Sequence, residues 1–302
     1  MKTFMCPLPL ALFAALLLSF PAAAQQAHPT PDAAAEALVT ALGTDRADAA
    51  ALATLLGEDW REYIPLEGVE RSNVEAFLTK YRERHDFEAG AGGTSVLSVG
   101  TDPWTFPIPL AKGANGWQFD VKAGAQEIRV RRIGRNELAA VESLRAYHDA
   151  QMDYAEADHD GDGVLEYAQK FISTDGLHDG LFWAEDDSGL ISPLGPLFGD
   201  ATRGNDWHGY HFLILPGQGP SAPAGQYSYM IGKDMSRGFA AIAWPATYGD
   251  TGVTSFMISH DGLVFEKDMG PGSEKLARAM KQFDPDTSWV ETTATTATTA
   301  AK

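Results

Sequence analysis

Beyond its first 24 residues this sequence contains no cysteine, since the single Cys6 sits inside that stretch. The rest of the chain therefore forms no disulfide and offers no thiolate for catalysis or metal binding. Basic residues are scarce as well: 23 Lys and Arg stand against 41 Asp and Glu, a net charge of −18. Such a surface repels nucleic acid and anionic lipid heads. After residue 24 there is no apolar run long enough to span a bilayer. No glycine frame of the dinucleotide or P-loop type is present either. "GPSAPAG" at 219–225 lacks the lysine and the helix that a phosphate loop needs.

What is present begins with an export signal. Lys2 supplies a positive start, "PLPLALFAALLLSF" an apolar stretch, and Ala22 and Ala24 the small residues before a cut at Ala24/Gln25. Residues 1–24 read as a signal peptide, which places the mature chain in the periplasm or outside the cell. Removing Lys2 leaves 22 basic against 41 acidic residues, a net charge of −19.

The mature chain reads as α+β. Residues 25–33 are a polar, proline-marked linker, and 34–134 a small N-terminal α+β domain. Alanine-rich helices with Asp45 and Asp48 as turn or cap residues come first. A helix over 71–86 follows, with Val74, Phe77, Leu78 and Tyr81 on its buried face and Ser72 to Glu75 as a capping box. Short strands "SVLSVG", "WTFPIPLAK" and "GWQFDVK" come next, the second bent or at an edge because of Pro107 and Pro109. "EIRVRRIG" alternates like a strand. Residues 135–291 read as a second domain, a long helix over 135–157 packed on an antiparallel meander. The helix stripe is Leu138, Val141, Leu144, His148, Met152 and Ala155. The strands are "YHFLILPG", "GQYSYMI", "GFAAIAWPA", "VTSFMISH" and "LVFEKDM", with Asp261-Gly262 as a hairpin turn. Residues 292–302 are a low-complexity, disordered tail.

"DHDGDGVLEYA", residues 158–168, starts like a calcium loop. Asp158, Asp160 and Asp162 take loop positions one, three and five, Gly163 takes six, and Glu166 takes nine. Clustered carboxylates suit a hard divalent cation, whose charge offsets their repulsion. Position twelve is Gln169 rather than a bidentate glutamate. Asp158, Asp160, Asp162 and Glu166 are therefore candidate ligands of a structural calcium ion, with a hydrogen-bonded turn as the alternative. His178, Asp179, Asp186 and Asp187 could form a polar patch, without a motif that joins them. Ser192-Pro193 is not a nucleophile elbow. His208 and His211 fall on opposite faces of a strand and make a poor zinc pair. Trp244 and Trp289 read as core anchors.

"FPIPLAKGANGWQFD", "RRIGRNEL", "AYHDAQMDYAEADHDGDGVLEYAQ", "GYHFLIL" and "GFAAIAWPATYGDTGVTSFMISHDGLVFEKDMG" resemble the exported bacterial family named domain of unknown function 2950, over about 35 to 290. The resemblance implies an exported protein and transfers no catalytic residue. The order of long helix, irregular region and meander is also similar to the globular part of type IV pilins and type II secretion pseudopilins, some of which hold calcium in a loop. The first domain loosely resembles the cone-like fold of nuclear transport factor two relatives. The leading expectation is a non-enzymatic envelope module that binds an envelope protein or a small ligand. A carboxylate-dependent hydrolase in the 158–187 region and a structural component of an envelope assembly are the alternatives.

Overall fold

The computed structural model describes residues 25–64, 70–185, 189–195 and 206–292. Residues 1–24, read as a signal peptide, the tail beyond residue 292, and Asp186 and Asp187 lie outside the described residues. The chain divides into two compact units, Met1–Glu127 and Ile128–Lys302. The class is α+β.

The first unit opens with helices α1 (Pro31–Leu42), α2 (Ala49–Leu56), α3 (Trp60–Tyr63) and α4 (Arg71–Glu83). Thr30 caps α1 and Asp48 caps α2, each through a side-chain oxygen on first-turn N–H groups. The capping box at Ser72 does not form. Glu70 takes the cap position without a side-chain bond to the helix backbone, its carboxylate accepting from Ser72 Oγ instead, and Glu75 pairs with Arg71 at 3.4 Å. The Arg71 guanidinium instead binds the carbonyls of Leu42, Gly43 and Thr44 at the end of α1.

Strands β1 (His85–Ala89), β2 (Ser95–Val99), β3 (Trp104–Thr105), β4 (Leu110–Gly113) and β5 (Gly116–Phe119) form one antiparallel sheet. Its order is β1-β2-β4-β5, with β3 also on β2. The "WTFPIPLAK" strand is split. β3 ends before Pro107 and β4 starts after Pro109, because proline cannot supply a ladder N–H. Leu38, Leu55, Trp60, Leu110 and Phe119 fill the core between helices and sheet.

The segment read as a linker is held in this unit. His28 is buried and bridges Trp117 of β5. Gln26 N donates to Thr54 O at 2.9 Å.

Helix α5 runs from Val121 to Tyr154, beginning well before Arg135. The "EIRVRRIG" strand reading is therefore corrected: residues 127–134 are helical. Asp120 starts the helix by accepting from Ala123 N at 3.0 Å, and Gly134, in open space, is tolerated inside it. The buried stripe also differs from the expected one. Leu138 is 66% and Met152 49% exposed, whereas Ala140, Leu144, Tyr147, Gln151 and Tyr154 are buried. Their steps of four and three define the true face. Gln151 belongs to it because its amide has partners inside.

The second unit contains β6 (Tyr210–Leu215), β7 (Gly217–Gln218), β8 (Tyr227–Ser228), β9 (Met230–Ile231), β10 (Asp234–Met235), β11 (Ala240–Pro245), β12 (Thr254–Ser259), β13 (Val264–Asp268), α6 (Ser273–Ala279) and β14 (Val290–Glu291). The main antiparallel sheet has the order β14-β13-β12-β11-β6. "GQYSYMI" does not join it. Its residues pair in two small ribbons, β7 with β8 and β9 with β10. Asp261-Gly262 does turn the β12–β13 hairpin, with Gly262 at φ +77° and its N–H on Ser259 O. Tyr147 of α5 donates to Ala240 O of β11 at 3.1 Å and meets Phe239 edge-on at 5.6 Å. Trp244 and Trp289 are buried, as core anchors should be.

Candidate functional site

The acidic loop starts where α5 ends. His159 turns back on the helix, stacking on Tyr154 at 3.9 Å and placing Nε2 3.0 Å from Tyr154 O. Burial pushes the His159 imidazole below its ordinary range. Gly161 and Gly163 sit at φ +76° and +89°, a region that side chains disfavour, so the tight bend needs glycine there.

The loop gathers the three aspartates. One carboxylate oxygen from each of Asp158, Asp160 and Asp162 lies within 4.8 Å of the others. Asp158 is the hub: Oδ1 accepts from Gly161 N at 2.7 Å and Oδ2 from Gly163 N at 2.8 Å. These N–H groups of Gly163 and Gly161 hold its carboxyl below the usual range. Asp160 Oδ1 accepts from Asp162 N, and Asp162 Oδ1 from Val164 N.

The outer oxygens meet a cation that the sequence reading did not place. Lys233 Nζ lies 2.6 Å from Asp160 Oδ2 and 2.8 Å from Asp162 Oδ2. Both carboxylates raise the ammonium's pKa, and Lys233 in turn holds Asp162 down. Lys233 lies 73 residues beyond Asp160, in the turn between β9 and β10. Gln169, at position twelve, donates to Lys233 O at 2.8 Å and so secures that turn.

One lysine does not balance the acids. Glu166 is half-buried, and its carboxyl is pushed up by burial first and then by Asp160 and Asp234, with Lys233 opposing. Asp234 Oδ1 is buried without a hydrogen bond, 3.6 Å from Lys233 Nζ. The loop is thus a concentration of oxygen ligands with surplus negative charge. Asp158, Asp160 and Asp162 come together; Glu166 is close enough to feel Asp160 and Asp162 but stands outside their cluster.

The other candidates lie in structural roles. Asp179 accepts from Thr174 N at 2.7 Å and pairs with Lys170 Nζ at 2.5 Å. Burial raises its pKa, but the bonds from Lys170 and Thr174 outweigh this and keep it low. His178 packs on Trp183 at 4.6 Å. Ser192 is buried and donates to Leu181 O at 2.9 Å. His208 stands in a turn at φ +49° and His211 on β6, so the pair does not share a strand. In 219–225, Gln218 Nε2 donates to the carbonyls of Pro223 and Gly225, which makes that stretch a side-chain-braced turn.

Fold and loop define an α+β protein of two compact units, in which no helix among the described residues is long and apolar enough to cross a membrane. The chain belongs to the family described as a protein of unknown function (DUF2950), whose model matches residues 25–292. No curated protein and no solved structure matches it. The pilin-like and cone-like comparisons rest on element order alone.

Proposed function

We propose that this is an exported cell-envelope protein, acting as a non-enzymatic binding or accessory module whose 158–166 loop takes a calcium ion as a structural brace. The observation that carries the calcium reading is the convergence of the Asp158, Asp160 and Asp162 carboxylates within 4.8 Å. Asp158, Asp160, Asp162 and Glu166 would hold the ion. Each carboxylate keeps acceptor capacity beyond its backbone bonds. The lysine that now bridges Asp160 and Asp162 carries a single charge against these four acids. A divalent ion would offset more of the repulsion, at the cost of moving Lys233. That competition implies weak binding. Hydrogen bonds hold the carboxyls of Asp158, Asp162 and Asp179 low, which fits charged acceptors, whereas Glu166 in the same region is pushed up.

The test is calorimetric titration of the mature protein with calcium, beside a variant carrying Asp158→Asn, Asp160→Asn and Asp162→Asn. Saturable binding that the variant loses supports the reading. Absence of heat at millimolar calcium refutes it, and the loop is then a lysine-braced turn.

A further inference from the structure

Gln25 closes the C-terminal end of α2. The last carbonyls of a helix lack intrahelical donors. Here Thr54 O receives Gln26 N, and Leu55 O receives Gln25 Nε2 at 2.9 Å. The same Nε2 also donates to Phe119 O, at the end of β5, at 2.8 Å. Gln118 Nε2 returns a bond to Gln25 O at 2.6 Å. The Gln25 amide thus serves two backbone carbonyls from two different elements.

A glutamine with a free α-amine is chemically unstable. The amine nitrogen attacks Cδ and forms the N–Cδ bond of a five-membered lactam. The Cδ–Nε2 bond breaks, and Nε2 leaves as ammonia with the proton lost by the amine. No co-reactant is required. In this protein the leaving nitrogen is the atom that donates to Leu55 O and Phe119 O. Its departure breaks both bonds, and the lactam has no NH2 group to restore them.

We infer that Gln25 is a fold-protected modification site. Once the leader is removed after Ala24, the native N-terminal unit keeps Gln25 open, and unfolding releases it to cyclise. The inference rests on reading residues 1–24 as a cleaved signal. Because fold and ring closure oppose each other, chain cyclised while unfolded refolds to a less stable first unit.

The experiment uses protein recovered after export and follows the mass of its N-terminal peptide over time at neutral pH. Native protein is compared with protein in guanidinium chloride and with a synthetic peptide of residues 25–33. Native protein should lose ammonia more than about tenfold more slowly than both, as expected for two part-buried hydrogen bonds that must open first. Gln118→Ala, which frees Gln25 O, should move the native rate toward that of the peptide. Protein cyclised in denaturant and refolded should melt at a lower temperature. Equal rates in native and unfolded protein overturn the inference even if Gln25 is the first residue. A first residue other than Gln25 is visible in the first spectrum; it refutes the leader reading and overturns the inference with it.

Discussion

Gln151→Leu should be among the most damaging isosteric changes in the second unit. Gln151 is 0% exposed. Its Oε1 accepts from Ala168 N at 2.8 Å, and its Nε2 donates to Ala168 O at 2.8 Å and to Tyr147 Oη at 3.1 Å. Tyr147 in turn donates to Ala240 O. This chain ties α5 to the irregular segment after the acidic loop and to β11. Leucine keeps the volume but strands both backbone groups of the buried Ala168. At roughly 1–3 kcal/mol for each orphaned buried group, the expected loss is about 3 kcal/mol. That corresponds to a melting temperature about 6–12 °C lower for a unit of this size. Tyr147→Phe should cost less, about 1–2 kcal/mol, and should couple to Gln151→Leu in a double-mutant cycle. Urea unfolding followed by tryptophan fluorescence reads these losses as a lower midpoint at unchanged slope. A loss under about 1 kcal/mol for Gln151→Leu, or strict additivity with Tyr147→Phe, would refute the network.

Lys233→Met should raise calcium affinity roughly tenfold in a calorimetric titration, because it removes a cation that shares Asp160 and Asp162 with the ion; unchanged or weaker binding would contradict the competition. His28 titrates below its ordinary value of 6.5 because of burial. The unfolded chain therefore takes a proton that the folded one refuses, and stability should fall as pH drops below about 6.5. The protection factor of the Trp117 amide, which donates to His28 O, should fall over that range and stay flat in His28→Gln. Gly116→Ala should cost about 2–4 kcal/mol in a thermal or urea melt, from strain and a clash together. Its φ is +127°, and a Cβ there would lie 2.4 Å from His28 O. A neutral outcome would show that Gln25–His28 is not docked on β5.

Much of the architecture was legible because periodicity and turn chemistry act locally. The strands at 210–215, 240–245, 254–259 and 264–268 coincide with alternating or continuous apolar runs bounded by glycine, proline or aspartate. The start of α5 was not legible. "EIRVRRIG" alternates as a strand would, yet it continues a helix already begun at Val121, and periodicity over so short a stretch cannot separate the two. The buried face of α5 was misassigned because Met152 looks like core and Gln151 does not. The Ala168 backbone, 17 residues on, and Tyr147 Oη together make burying that amide favourable. The acidic loop was visible from its aspartate and glycine spacing. Lys233 and Asp234 were not, since a distant hairpin brings them there; the one hint is a lysine directly beside an aspartate in "GKDMSR". The docking of Gln25 to His28 was hidden in the same way, because proline-marked polar sequence looks like linker until its backbone partners are known.

The most direct test of the calcium brace is the melting temperature of the mature protein in chelator, in millimolar magnesium and in millimolar calcium, for the wild type and for the variant with Asp158, Asp160 and Asp162 changed to asparagine. A ligand that binds only the folded state raises stability with its concentration. The account predicts a rise in calcium, a smaller one in magnesium, and none in the variant. An identical melting temperature in all three solutions, or a calcium shift that survives in the variant, would contradict it.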